Sequence, residues 1–327
     1  INLYMKQAAT PDNEKNLVIT QRKKYLSSLI VNMLNNRLND IKKQAMPPFH
    51  SASVGDGQFF ISKTKDAFSV SFGCLQENVK GSFNAVIGEV ERTRQYGFTA
   101  SELQRAKTTF LKGAERRYTE RNDRRNRSLV KLALQNFLNN EPITSPEYDY
   151  QLIKQFNAEV TLSEVNQEVT ELITNKNQVL TVYAPLKADF PIADEATFEQ
   201  YVLDAQAKKY EPYAEEILQA KLIAKLPKKG KIKKETDWDK FGVKKLVLSN
   251  GVEVYVKKTD FAKDEINMRF FGDGGTSLYS DADAINFPML SSAITDAGVA
   301  NFDKVKLDRL LSGKAVRIAP SIGVETQ

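Results

Sequence analysis

Two residue types that carry much of enzyme chemistry are nearly missing from this 327-residue chain, which holds one cysteine, Cys74, and one histidine, His50. A single cysteine excludes an intrachain disulfide and any site built on several thiolates. A single histidine excludes every zinc motif that takes two imidazoles from one chain, HExxH and HxxEH included. No run approaches the roughly 18 consecutive apolar residues of a membrane span. An initiator Met and a signal-peptide pattern are also lacking. The chain opens Ile1-Asn2-Leu3-Tyr4-Met5, which reads as the middle of a strand, so an upstream segment is expected.

Composition is otherwise ordinary: 41% hydrophobic and 27% charged residues fit a globular protein, long enough for two domains or for one and part of another. The net charge of +6 raises nucleic acid or an acidic surface as partners. However, Lys225–Lys234 (KLPKKGKIKK) carries six lysines and no acid, leaving the remainder formally neutral. The basic character belongs to one short segment, and no nucleic-acid partner is expected.

Periodicity orders the elements. A strand over Leu3–Ala8 is followed by a long helix from about Leu17 to Ile41, with Leu26, Leu29, Ile30, Met33, Leu34, Leu38 and Ile41 on one face. Strands are expected at Phe49–Val54 and Gln58–Ser62, separated by Gly55-Asp56-Gly57. Another at Ala67–Cys74 aligns Phe68, Val70, Phe72 and Cys74. Val79, Phe83, Val86, Ile87 and Val90 form the next helical stripe, with Gly97 as its stop. Thr99-Ala-Ser-Glu102 is a capping box opening a helix that runs to about Asn139. Ser145-Pro146-Glu147 and Thr161-Leu-Ser-Glu164 open two more; a strand at Gln178–Ala184 and a mostly helical stretch at Glu195–Ala220, with Pro212 as a point where it can break, follow.

This order predicts an α+β domain over residues 1–221, with an antiparallel sheet covered by helices. Residues 222–240 read as an exposed basic linker. In 241–327 a hairpin turns at Asn250-Gly251. A strand at Glu265–Phe271, the loop Gly272-Asp-Gly-Gly275, helices near Ala284–Ala297 and Phe302–Ser312, and a strand at Ala315–Ile318 complete the expectation. That is the start of a second α+β module, truncated before its faces are covered.

Candidate site residues are few. His50 in PPFHSAS is a ligand or base by type, although a lone histidine at a strand start more ordinarily has a structural or surface role. Cys74 continues an apolar alternation and reads as packing rather than as a reactive thiol. Ser51, Ser53 and Ser69 lack a second histidine or a nucleophile-elbow sequence for a triad. Asp281 and Asp283 suit a helix start better than paired acid–base work. Gly272–Gly275 lacks the phosphate-loop Lys-Ser/Thr and the GxGxxG spacing. Glu115–Arg127 interleaves six arginines with three acids, the pattern of a solvated helix face more than of an RNA contact.

Three stretches resemble the pitrilysin/insulinase-type zinc peptidases. Tyr25–Gly55, with Arg37-Leu38 and Pro48-Phe49, is similar to their non-catalytic second domain. Glu91–Glu115 follows with Arg92, Gly97, Phe98, Glu102, Leu103 and Ala106-Lys107. Leu246–Ser277 is similar to the entry hairpin of the first-domain type. In catalytic copies a helix with HxxEH comes next, but Ile285–Ile294 has neither His nor Glu, like a degenerate third domain.

The resemblance implies a longer zinc peptidase of four related α+β domains in two halves that enclose a chamber. An upstream domain there holds zinc and activates water on a peptide substrate. This chain would supply wall and linker, with no catalytic, cofactor-binding or metal residue and zinc only in the parent. Its partners would be the upstream catalytic domain, the remaining C-terminal half and the peptide. The alternatives are a non-catalytic scaffold or partner subunit of the same family and, remotely, a nucleic-acid-binding protein. The resemblance to bacterial relatives implies an exported, periplasmic location, with the cytoplasm as the alternative.

Overall fold

Strict alternation puts Leu3 and Met5 of β1 (Asn2–Ala8) on the same face as Phe68, Val70 and Phe72 of β3 (Lys65–Gly73), and all five are buried. The computed structural model describes residues 1–185, 191–215, 221–238, 241–261, 265–314 and 316–326. It divides into two compact units, residues 1–216 with 311–315, and 217–310 with 316–327. In the first, β2 (Ser51–Gln58) and β4 (Gln178–Thr181) complete an antiparallel sheet in the order β2-β3-β1-β4.

The sheet's apolar face shares one core with α1 (Val18–Lys42) and α2 (Val79–Tyr96). From α1 come Leu26, Leu29, Ile30, Met33, Leu34 and Leu38, all buried; from α2 come Phe83, Val86, Ile87 and Val90. Phe83 meets Phe72 edge-on at 5.1 Å. Farther along, α3 (Ala100–Thr119) packs on α5 (Pro146–Glu159), and α6 (Leu162–Leu172) lies on α1. The last helix of this unit, α7 (Glu195–Ala207), lies on α2.

One buried cation joins three of these helices. Arg37 of α1 is 2% exposed, yet all five of its N–H groups are matched. Nε and Nη2 grip Glu102 at 2.7 and 2.9 Å, Nη1 reaches Glu89 (3.2 Å) and Thr93 (3.3 Å), and Nη2 also donates to the Gly97 carbonyl (3.1 Å). Phe98 and Tyr213 close over the guanidinium at 4.8 and 4.0 Å from their ring centres. Burial works against the charge on Arg37, but Glu102 and Glu89 more than offset it and raise its pKa.

Glu102 serves twice, because it also accepts from the Thr99 N–H (2.8 Å) in the capping box that starts α3. Gly97 makes this approach possible. Its φ of +70° terminates α2, and a Cβ there would stand 2.4 Å from Asn166, whose amide accepts from the Phe98 N–H at 2.8 Å.

Several expectations change. The strands expected at Phe49–Val54 and Gln58–Ser62 are one strand, β2: Gly55, Asp56 and Gly57 stay in register with Ser69, Phe68 and Ala67. The reversal falls instead at 59–64, where Ser62 N–H bonds the Phe59 carbonyl and Phe60 takes φ +51°. The helix opened at Thr99 stops at Thr119, and α4 (Asn126–Asn139) is separate. The intervening turn frees Arg121 to reach Glu147 at 2.7 Å and to stack 4.3 Å from the Tyr118 ring. Only residues 178–181 of the strand expected at Gln178–Ala184 are in the ladder. The helix expected to Ala220 ends at Ala207, and residues 216–220 lie outside the described residues.

In the second unit, β5 (Ile232–Trp238), β6 (Val243–Leu248) and β7 (Glu253–Lys257) form a three-stranded antiparallel sheet. Part of the stretch read as linker is therefore a strand. The Asn250-Gly251 turn is present, with Gly251 at φ +87° and the Leu248 N–H on the Val252 carbonyl. No ladder forms at Glu265–Phe271, since no neighbouring strand offers one among the described residues. α8 (Phe287–Asp296) and α9 (Lys304–Leu311) stand near the expected helices. Residues 316–318 are irregular, and Ala315 lies outside the described residues. Among the described residues no helix is long and apolar enough to cross a membrane.

Replacing Arg37 by Met removes the cation that bridges Glu102 and Glu89 while both carboxylates stay buried. Denaturant unfolding should show a loss of about 3–5 kcal/mol. A second prediction concerns pH. Arg22 of α1 holds Glu164 through two bonds (2.7 and 3.0 Å), and these keep the Glu164 carboxyl below the ordinary glutamate range. A lowered folded-state pKa stabilises above the unfolded value and is lost as pH falls through the folded one. Glu164→Gln should therefore be less stable than the native chain at neutral pH, with the gap closing on acidification in unfolding curves taken across pH.

Candidate functional site: the open face of the sheet

The register that buries Leu3, Val70 and Val54 turns their neighbours outward. Thr181, Asn2, Ser71 and Ser53 align as one row across all four strands. All four are exposed or half-exposed, and Asn2 Nδ2 donates to Thr181 Oγ1 at 3.3 Å. The next row holds Val179, Tyr4, Ser69 and Gly55, with Ser69 Oγ donating to the Gly55 carbonyl (3.2 Å). This face is small, hydroxyl-bearing and free of charge over two rows. At its end three rings cluster: Tyr4 lies 5.3 Å from Phe59 and 5.1 Å from Phe60, with Lys6 Nζ 5.8 Å from the Phe59 centroid.

The sheet's two edges differ. Along β2 the outward N–H and C=O of Val54 are both taken by the Asn35 side chain, at 2.8 and 3.0 Å, so an amide from α1 replaces a neighbouring strand. Beyond β4 no strand is paired among the described residues. Near the other end of α1 a cleft of about 970 Å³ is lined by groups of both signs, among them Lys23, Lys24, Asp56, Asp66, Glu168 and Glu171. Burial, with Glu171 nearby, raises the Glu168 pKa. Lys24 is paired there with Glu141 at 2.6 Å, and Ser27 Oγ donates to Asp56 at 2.6 Å.

The residues singled out by sequence are scattered rather than assembled. His50 is exposed just before β2, its N–H on the Gly73 carbonyl, and Ser51 and Ser53 follow it as exposed residues. Cys74 is half-buried beyond the end of β3, so it leaves the apolar alternation that Phe72 completes. Asp281 and Asp283 sit in a 3-10 turn, where Ser280 Oγ donates to Asp283 at 2.9 Å. Within Glu115–Arg127, Arg116 pairs with Glu120 at 2.8 Å one helical turn on.

A zinc site of the inverted type does not fit these residues, since the chain has one histidine. Among the described residues no group of three or more His, Cys, Asp or Glu could hold a metal. Sequence reasoning missed the hydroxyl row and the Asn35 edge contact. Strand alternation carried the first signal, whereas no local pattern carried the second.

No family model matches the chain. It is 25% identical over 292 residues to a protein of Arabidopsis thaliana named zinc protease PQQL-like, covering 89% of this chain and 27% of that one. The crystal structure of the periplasmic protease PqqL from Escherichia coli matches 99% of this chain and 36% of its own, with a TM-score of 0.55 and 19% identity. The structure of that protein's first half matches 65% of this chain and 45% of its own, with a TM-score of 0.53 and 21% identity. A predicted insulinase family protease from Yersinia pestis matches 63% of this chain and 43% of its own, with a TM-score of 0.53 and 14% identity. The chain thus spans roughly a quarter to a third of the curated relatives it matches. In sequence it is similar to proteins named zinc protease, and in fold to a periplasmic and an insulinase-family protease.

Proposed function

We propose that this chain is an internal region of a zinc-dependent peptidase, lending wall to an enclosed chamber and no zinc ligand or catalytic side chain. The observation that carries this reading is a conjunction. The chain aligns with part of proteins named zinc protease, yet its single histidine cannot supply their metal site. The open face of the first sheet suits a wall: its two rows of small, uncharged and mostly polar side chains can contact extended polypeptide without reacting with it.

In this proposal residues 1–221 are a non-catalytic module like the family's second domain, 222–240 join two halves, and 241–327 begin a third, degenerate module. The second unit supports the last assignment. Every residue of β5 is exposed, as are Ile266, Phe270 and Phe271, so apolar surface there awaits cover. The parent acts on peptide or protein substrates and is exported; the periplasmic PqqL of E. coli supports that location.

The 327-residue chain by itself should bind no stoichiometric zinc and cleave no peptide. The longer protein, with an HxxEH motif and a downstream Glu before Ile1, should bind one zinc and cleave. Metal analysis and a peptide-cleavage assay on both check this. One tightly held zinc in the short chain would overturn the assignment, and a longer protein without HxxEH would make it a scaffold subunit.

A further inference from the structure

Among the helices of the first unit, α4 buries none of its residues. Its sequence, NRSLVKLALQNFLN, is amphipathic: Leu129, Val130, Ala133, Leu134, Phe137 and Leu138 share one broad face. Val130 is 64% exposed and Phe137 82%. A helix in water gains its stability mainly by burying such a face. Here its C-terminal end is instead fastened by polar bonds: Lys15 Nζ to the Asn139 carbonyl (2.6 Å), Lys63 Nζ to the Leu138 carbonyl (3.3 Å) and Asn140 to Asp12 (2.7 Å). The helix is held in place while its apolar side is left open.

We propose that this face is the seat of the companion region of the same half, contributed by polypeptide upstream of Ile1. The proposal rests on the reading of the chain as part of a longer peptidase. Two observations select this occupant. The match to the first half of PqqL takes up 45% of that half, so more than half of it corresponds to polypeptide not matched here. The charge around the face is mainly basic as well: Arg124, Arg125, Arg127 and Lys131 are exposed beside it, with Asp123 as the acid just before the helix. The companion surface should therefore be apolar at its centre and carry carboxylates at its rim.

Thiol labelling tests this in a Cys74→Ser background, with single substitutions Val130→Cys and Phe137→Cys on the apolar face and Ser128→Cys on the polar side. Rates are compared between the 327-residue chain and the longer protein that includes the upstream polypeptide. Positions 130 and 137 should label about tenfold more slowly, or slower still, in the longer protein, and position 128 should change less than about twofold. Equal rates at 130 and 137 overturn the proposal. So does protection that appears when the short chain alone is concentrated, which would mean a second copy, or protection conferred only by anionic phospholipid vesicles. The absence of any upstream polypeptide overturns it too. Zinc content of the same longer protein separates the two ideas: protection without zinc keeps the docking and removes the peptidase, and zinc without protection does the reverse.

Discussion

The first unit depends on Arg37. A guanidinium taken from water costs several kcal/mol unless every donor finds an acceptor and a counter-charge lies close. Here the acceptors lie 52 to 65 residues from Arg37: Glu89 and Thr93 on α2, the Gly97 carbonyl at its end, and Glu102 in the first turn of α3. A shift of Glu102 would leave the guanidinium without its two-bond partner, so the bend between α2 and α3 is tied to the burial of the cation. Because Glu102 also caps α3, the start of that helix and the burial of the cation are a single event.

Two asparagines extend the same logic to the backbone. Asn166 brackets Phe98 and Asn35 brackets Val54, each amide offering one donor and one acceptor where a neighbouring strand or turn would otherwise do so. Asn35 thereby closes the middle of β2's free edge and ties it to α1. The sheet is left with one face sealed in the core, one edge capped, and one face of hydroxyls and glycines in the open. In the proposed reading that asymmetry suits a wall against which polypeptide lies, and it contrasts with the exposed apolar face of α4.

Much of the architecture was legible wherever a face is buried. Leu26 through Leu38 had to be helical at that spacing, Phe68, Val70 and Phe72 had to alternate, and Thr99–Glu102 had to start a helix. Legibility failed where local signals compete with long-range pairing. Gly55 and Gly57 look like a turn, but register with Ser69 and Ala67 keeps them extended. The polar stretch at 120–125 gives no periodic reason to stop a helix. The break after Thr119 leaves Arg121 paired with Glu147 of α5 and stacked on Tyr118, and the first of these partners is not local. Glu265–Phe271 has strand-like residues yet forms no ladder, because pairing is a property of two segments.

By itself the sequence determined that this chain cannot supply the two imidazoles of an HxxEH zinc site, since a count of one histidine is independent of folding. It also determined the helical faces, the caps and the Asn250-Gly251 hairpin, because these depend on neighbours within a few residues. The tertiary structure alone decided that Arg37 is buried with Glu89 and Glu102, that Thr181, Asn2, Ser71 and Ser53 form one row, and that Asn35 seals an edge. Those are meetings of residues tens to hundreds of positions apart. Their free energy comes from desolvation and geometry, which exist only once the chain has closed on itself.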